Sequence, residues 1–229
     1  MLGLLFSPQS YTLTSAPRAP VAARAALSPQ MAAGAADLRV GVLAIQGGFV
    51  EHMDALGRQS GVVATEVRTP EELAAVDAII LPGGESTAMA IMTEGDGLFP
   101  ALREAVGNGV PAYGTCAGLI LLADDCVGQK AGGQALVGGL DCTVCRNYFG
   151  AQVSSFELPL EGFPDAAPAV FIRAPAILKR GPTCEALASV TSAPSRDAAP
   201  HVEAFEPAMY LSAMSEFMIA PSTRRARVT

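Results

Sequence analysis

One thiol in this chain is framed for chemistry. In Gly114-Thr115-Cys116-Ala117-Gly118 the cysteine stands between two apolar stretches, Val110 to Tyr113 and Ala117 to Ala123. A nucleophile on a tight strand-to-helix bend needs small neighbours, because the backbone there is strained and a substrate must approach it closely. Glycines two places before and two places after Cys116 supply that room. A thiol at a helix start also meets the positive end of the helix dipole, which favours thiolate. The amide N–H of Ala117 then falls where an oxyanion donor is needed. The competing reading is a buried cysteine in a glycine-rich turn.

A second segment, Leu81-Pro82-Gly83-Gly84-Glu85-Ser86-Thr87, closes the apolar run Ala78 to Leu81. Its two glycines let backbone N–H groups turn into a cleft and meet an anion or an oxyanion. Ser86 is placed to cap the helix that follows. Cys142 and Cys145 have the C-x-x-C spacing of half a zinc site or a redox pair. No second pair exists, and neither of the two histidines, His52 and His201, is near them in sequence. Buried strand thiols are the expectation.

The elements that must position these residues follow from periodicity. Val40 to Ile45, Val62 to Val67, Ala78 to Leu81 and Val110 to Tyr113 read as short buried strands. Helical patterns cover Val50 to Arg58, a start at Pro70, Ser86 to Met92, Phe99 to Val106 and Ala117 to Ala123. Strands alternating with helices, each strand apolar throughout, predict an α/β fold with a mostly parallel sheet covered on both faces. Ligands bind such sheets at the carboxyl ends of the strands, where the three glycine-rich turns fall. Beyond Gly128 short strands are expected at Leu140 to Val144, Val153 to Leu158 and Ala169 to Ile172, and a helix at Ala208 to Ile219.

Composition bounds the rest. The chain has 229 residues, half of them apolar, which suffices for one domain with a sizeable core. A net charge of −7 argues against a reader of nucleic-acid backbones, and no apolar run approaches the ~18 residues of a membrane span. Five cysteines, an odd number, suit a reducing, cytoplasmic setting. Residues 1–37 contain no acid before Asp37, but carry Arg18 and Arg24 among Ser, Thr, Ala and Pro. That is the make-up of a disordered tail or of a plastid or mitochondrial transit peptide.

The two glycine-rich segments, in this order and context, resemble a class I glutamine amidotransferase. Further pieces are similar to the glutaminase subunits of pyridoxal 5'-phosphate synthase, the PdxT/SNO family: Gly41 to Gly47 with Glu51-His52, Arg146-Asn147-Tyr148-Phe149-Gly150, Gln152-Val153 with Ser155-Phe156-Glu157, and Phe171-Ile172-Arg173-Ala174-Pro175. The resemblance covers residues 38–190, leaving 191–229 divergent. It implies a three-layer, flavodoxin-like domain that hydrolyses L-glutamine and passes ammonia to a synthase subunit in a hetero-oligomer. It implies Cys116 as nucleophile, with Ala117 N–H and the Gly83–Gly84 peptide facing the oxyanion. Gly84, Glu85, Ser86, Arg146, Ile172 and Arg173 would bind the substrate. An arginine suits the α-carboxylate, which it can pair bidentately. His52 would be structural or part of the synthase-facing surface, and no metal or cofactor is implied at this subunit's site.

The base is where the chain departs from the family. A cysteine amidase needs an imidazole to move a proton and a carboxylate to orient it, and the family's Phe-His-Pro-Glu-Leu segment is missing. In one register His201-Val202-Glu203 keeps the His-x-Glu spacing without the proline. In the other, Phe205-Glu206-Pro207-Ala208 keeps Phe-x-Pro but puts Glu206 and Ala208 where His and Glu belong. A C-terminus unrelated to the family is the third reading, and it leaves a catalytically silent partner of the synthase subunit as the alternative function.

Overall fold

Each residue from Ala78 to Leu81 is buried, and the reason is that both faces of its strand are covered. The structure, a computed structural model, describes residues 37–129, 133–159, 168–186 and 227–228. Four parallel strands form the main sheet: β1 (Leu38–Leu43), β2 (Val62–Val67), β3 (Ala78–Leu81) and β4 (Ala112–Gly114), in the order β2-β1-β3-β4. Alternate residues serve opposite faces. Val40, Val42 and Ile80 join Leu56 in one cluster, while Leu43, Ile79 and Leu81 join the larger core on the other side.

Helices supply both covers. On one face lies α1 (Phe49–Leu56). On the other lie α2 (Pro70–Ala74), α3 (Ser86–Glu94), α4 (Leu98–Gly107) and α5 (Ala117–Leu122), bringing Leu73, Met89, Leu98, Leu102 and Leu119 into the core. The five-residue α2 is too short to stand on propensity. Pro70 sits in its first turn, and Thr69 and Glu72 exchange capping bonds: Glu72 N–H donates to Thr69 Oγ1 at 3.3 Å, and Thr69 N–H to Glu72 Oε2 at 3.1 Å.

Past α5 the chain builds smaller sheets. β5 (Ala123–Val127) runs parallel to β6 (Leu140–Cys145), which pairs antiparallel with β9 (Ala176–Arg180). β7 (Phe156–Pro159) pairs antiparallel with β8 (Pro168–Phe171), and the facing rings of Phe156 and Phe171 stack at 4.6 Å. β10 (Glu185–Ala186) pairs with β11 (Arg227–Val228).

Several expectations need correcting here. The helix beginning at Ala117 stops at Leu122, and Ala123 already opens a strand. All six residues of α5 are buried, so no polar face marks its end, and a register shift in β5 breaks the alternation that would reveal it. β9 escaped the sequence reading as well. The strand expected at Val153 to Leu158 is a 3₁₀ turn (Gln152–Ser154) followed by β7. Cys142 and Cys145 both lie on β6, where odd spacing sends them to opposite faces, Cys142 buried and Cys145 half-buried. They cannot jointly hold a metal from there. The helix expected at Ala208 to Ile219 lies outside the described residues. No helix among the described residues is long and apolar enough to cross a membrane.

Candidate active site

The three glycine-rich turns converge at the carboxyl ends of β1, β3 and β4. Thr115 N–H donates to Leu81 O at 3.1 Å and Gly48 N–H to Gly83 O at 2.9 Å. Glu85 N–H donates to Gln46 Oε1 at 2.8 Å. Cys116 stands at the bend between β4 and α5 with φ +49° and ψ −102°, a conformation non-glycine residues seldom adopt. The flanking glycines permit it. A Cβ on Gly114 would lie 2.5 Å from the Gly118 backbone, and one on Gly118 would overlap the Leu81 carbonyl. The bend exists because β3, β4 and α5 touch backbone to backbone there.

Two amides lie beside the thiol. Ala117 N–H, first in α5, and Gly84 N–H are both near enough to the Cys116 sulfur to favour its thiolate. The orientation of the second has a visible cause. In a trans peptide C=O and N–H point oppositely, and Gly48 N–H ties down the Gly83 carbonyl, so the Gly84 N–H must face the other way. The expectation of a thiolate favoured by the helix end does not hold for the free site. Burial pushes the Cys116 thiol above its ordinary value, outweighing the Ala117 and Gly84 amides and the nearby Arg173 charge.

Glu85, Ser86 and Arg146 meet in one hydrogen-bonded cluster with two residues the sequence reading gave no part, Thr87 and Gln134. Arg146 Nη2 donates to Glu85 Oε1 at 2.7 Å, and Nη1 to Thr87 Oγ1 at 2.8 Å and to Gln134 Oε1 at 2.7 Å. Ser86 Oγ and Thr87 Oγ1 donate to the same Gln134 oxygen at 3.0 Å each. Ser86 does not cap α3. Glu85 does, its carboxylate accepting from Ala88 N–H at 2.7 Å, while Ser86 is wholly buried as the first helical residue. Burial works to raise the Glu85 pKa, but the Ala88 and Thr87 amides and Arg146 outweigh it and hold the group below its ordinary value. Gln134 left no sequence signal, being a lone amide in a connecting loop.

Arg173, at φ +49°, and the half-exposed Ile172 follow β8 directly, with Arg173 close enough to favour a Cys116 thiolate. His52 is buried and so takes the structural of its two expected roles. Its Nε2 lies 3.4 Å from Thr115 Oγ1, next to the nucleophile, and its Nδ1 has no partner. Burial lowers its pKa, with the Glu51 charge opposing. His201, Glu203, Glu206 and Ala208 lie outside the described residues.

Comparison with known proteins bears on this arrangement. The SNO glutamine amidotransferase family profile matches residues 42–194. "Probable pyridoxal 5'-phosphate synthase subunit PDX2" of Arabidopsis thaliana is 56% identical over 159 residues, covering 66% of this chain and 62% of that protein. The chain thus spans less than two thirds of that relative's length. "Pyridoxal 5'-phosphate synthase subunit PdxT" of Acidothermus cellulolyticus is 51% identical over 158 residues, 67% of this chain and 75% of that one. Among solved structures, a crystal structure of a glutamine amidotransferase superposes with a TM-score of 0.58 at 43% identity, covering 66% of this chain and 79% of its own. A parallel sheet, a cysteine elbow facing a glycine turn, and a profile spanning two thirds of the sequence agree: the chain belongs to the SNO glutamine amidotransferase family.

Proposed function

We propose that this chain is the glutaminase subunit of a pyridoxal 5'-phosphate synthase, hydrolysing L-glutamine to glutamate and ammonia and delivering the ammonia to a synthase subunit. The observation that carries this reading is Cys116 held at φ +49° on the strand-to-helix elbow and set against the Gly83–Gly84 turn, where a Cβ added to Gly83 would lie 3.5 Å from the Cys116 Cβ. The names of the relatives support the assignment to this synthase. In this reading residues 38–190 form the amidotransferase domain, 1–37 an extension and 191–229 a divergent C-terminal segment.

The chemistry follows from the geometry. Cys116 Sγ attacks the side-chain amide carbon of glutamine, and the carbonyl oxygen becomes an oxyanion. The two amides meet that charge without reorganising, the kind of contribution commonly worth about 3 kcal/mol per donor in transition-state stabilisation. The tetrahedral adduct collapses to a thioester as ammonia leaves carrying the thiol proton, and water then releases glutamate. Arg146 and Arg173 take the α-carboxylate, Glu85 the α-ammonium, and Gly84, Ser86 and Ile172 complete the pocket. Ammonia must pass directly to the partner, because in bulk water it protonates and loses its nucleophilicity.

One observation favours a second reading, a catalytically silent partner of the synthase subunit. His52 is the one histidine among the described residues, and it is buried with its Nε2 on the Thr115 hydroxyl rather than on the Cys116 sulfur. One experiment separates the two: ammonia release from glutamine by the full chain with its synthase subunit, with and without Cys116→Ala. The glutaminase reading expects release that the substitution abolishes. Undiminished release from the variant overturns Cys116 as nucleophile, and complex formation without any release establishes the silent partner.

A further inference from the structure

We propose that Gln134 is a positioning residue for glutamine binding: a neutral acceptor that aims the Arg146 guanidinium at the substrate carboxylate without consuming its charge. The inference rests on the glutaminase reading and names what makes its carboxylate pocket work.

Arg146 is only a hydrogen-bond donor, so the Gln134 atom 2.7 Å from its Nη1 must be the amide oxygen. The side chain therefore has a single possible orientation. Its oxygen gathers three donors, from Ser86, Thr87 and Arg146, which belong to two separate segments of the chain. The amide nitrogen is consequently turned into the interior, buried and without a partner. Leaving a buried donor unpaired is costly, so this orientation persists only because the three bonds to the oxygen outweigh that cost. The backbone behind it is pinned too. Gln134 N–H donates to Gln129 Oε1, and Gln129 Nε2 to Cys126 O at 3.0 Å, which ties the loop to β5.

The other two partners of Arg146 are poorer guides. Glu85 is half-exposed and charged, so it neutralises the guanidinium that it holds. Thr87 offers a hydroxyl that itself turns toward Gln134. Gln134 alone holds the guanidinium from an uncharged and directionally locked atom, so this contact takes nothing from the positive charge that meets an incoming carboxylate. A purely structural amide would only need to keep its accepted bonds. A positioning amide must also stay neutral.

Two substitutions separate these roles. Gln134→Met keeps the length and removes the acceptor; Gln134→Glu keeps the acceptor and adds a negative charge. Each full-length variant, assembled with the synthase subunit, is treated with a diazo-ketone analogue of glutamine, and Cys116 labelling is followed by peptide mass spectrometry against analogue concentration. Iodoacetamide, which has no carboxylate, serves as the control reagent. Loss of a hydrogen bond to a charged group predicts a rise of about tenfold in the half-saturating analogue concentration for Gln134→Met. Gln134→Glu is expected to do at least as badly, while iodoacetamide labels Cys116 in both at the unsubstituted rate. An unchanged half-saturating concentration in either variant overturns the role of Gln134 alone, as does an equal loss with iodoacetamide, which would place the effect on the elbow. Labelling of the unsubstituted chain that neither saturates nor yields to competing L-glutamine overturns the glutaminase reading, and this role with it.

Discussion

Glu85 and Arg146, sixty-one residues apart in sequence, meet at 2.7 Å and form the one ion pair among the described residues that joins two of the motif segments of the site. The pair couples electrostatics to the fold, because the same Glu85 carboxylate caps α3. A substrate carboxylate drawn to Arg146 must share it with Glu85, whose half-exposed carboxylate is held by Arg146 and Ala88 N–H and keeps a solvent-facing side for an ammonium group. The arrangement suits an amino acid carrying both charges.

Glu85→Gln should therefore weaken the fold in a pH-dependent way. A carboxylate held below its ordinary pKa stabilises the native state above the unfolded value, and that stability is lost as pH falls through the folded value. Half-exposure keeps the ion pair itself small, so loss of the cap sets the scale, about 1 kcal/mol at neutral pH. Urea unfolding from neutral pH downwards should show the gap between the unsubstituted chain and the variant closing in acid. A gap that stays constant across the series contradicts the assignment.

His52 carries a second pH signature of its own. Buried and short of one hydrogen bond, it resists protonation in the native state, whereas the unfolded chain takes up a proton near the ordinary value of 6.5. Below that value the unfolded state binds more protons, so stability falls as pH drops. In His52→Gln this contribution is absent, and the difference in unfolding midpoint between the two proteins should change sharply across that window. A flat difference would mean that the native imidazole takes up its proton as readily as the unfolded one.

Much of this architecture was legible beforehand, and the boundary of legibility has a physical basis. β2 and β3 fall where Val62 to Val67 and Ala78 to Leu81 were read, because strands covered on both faces are apolar at every position and stop at Gly or Pro. The elbow was legible too, since backbone contact between β3, β4 and α5 leaves room only for Gly114 and Gly118. Side-chain pairing was not. Gln134 reaches Arg146 through folding alone, and neither residue's neighbours in sequence betray the bond. The Cys116 pKa was misjudged for a related reason: a helix start is visible in a sequence, but the depth at which it is buried is not.

Cys116 should accordingly be slow to alkylate until the solution is well alkaline. Burial raises the thiol, and Arg173 is among the groups that oppose it. The iodoacetamide rate at Cys116 is expected to keep rising beyond the pH at which an ordinary cysteine levels off. Arg173→Met, which removes the charge and keeps the bulk, should move the profile further in the same direction. A profile that moves down on that substitution would show that the guanidinium does not act on the sulfur.

Glycine substitutions test whether the elbow is held by backbone contact or by side-chain packing. An added Cβ at Gly118 overlaps the Leu81 carbonyl, and a backbone carbonyl at the end of a buried strand, held by Thr115 N–H, cannot swing aside as a flexible side chain could. Gly118→Ala is expected to destabilise by about 3 kcal/mol or more, the upper range for overpacking. Gly107, the last residue of α4, has nothing within 4 Å of its added Cβ, and its φ is not positive. There the same change removes conformational freedom from the unfolded chain only, which stabilises by up to about 1 kcal/mol. Opposite signs from one chemical change, read by urea unfolding, are the expected outcome. If Gly118→Ala unfolds at the same urea concentration as the unsubstituted chain, α5 does not lie against β3, and the bend that presents Cys116 is not the one described.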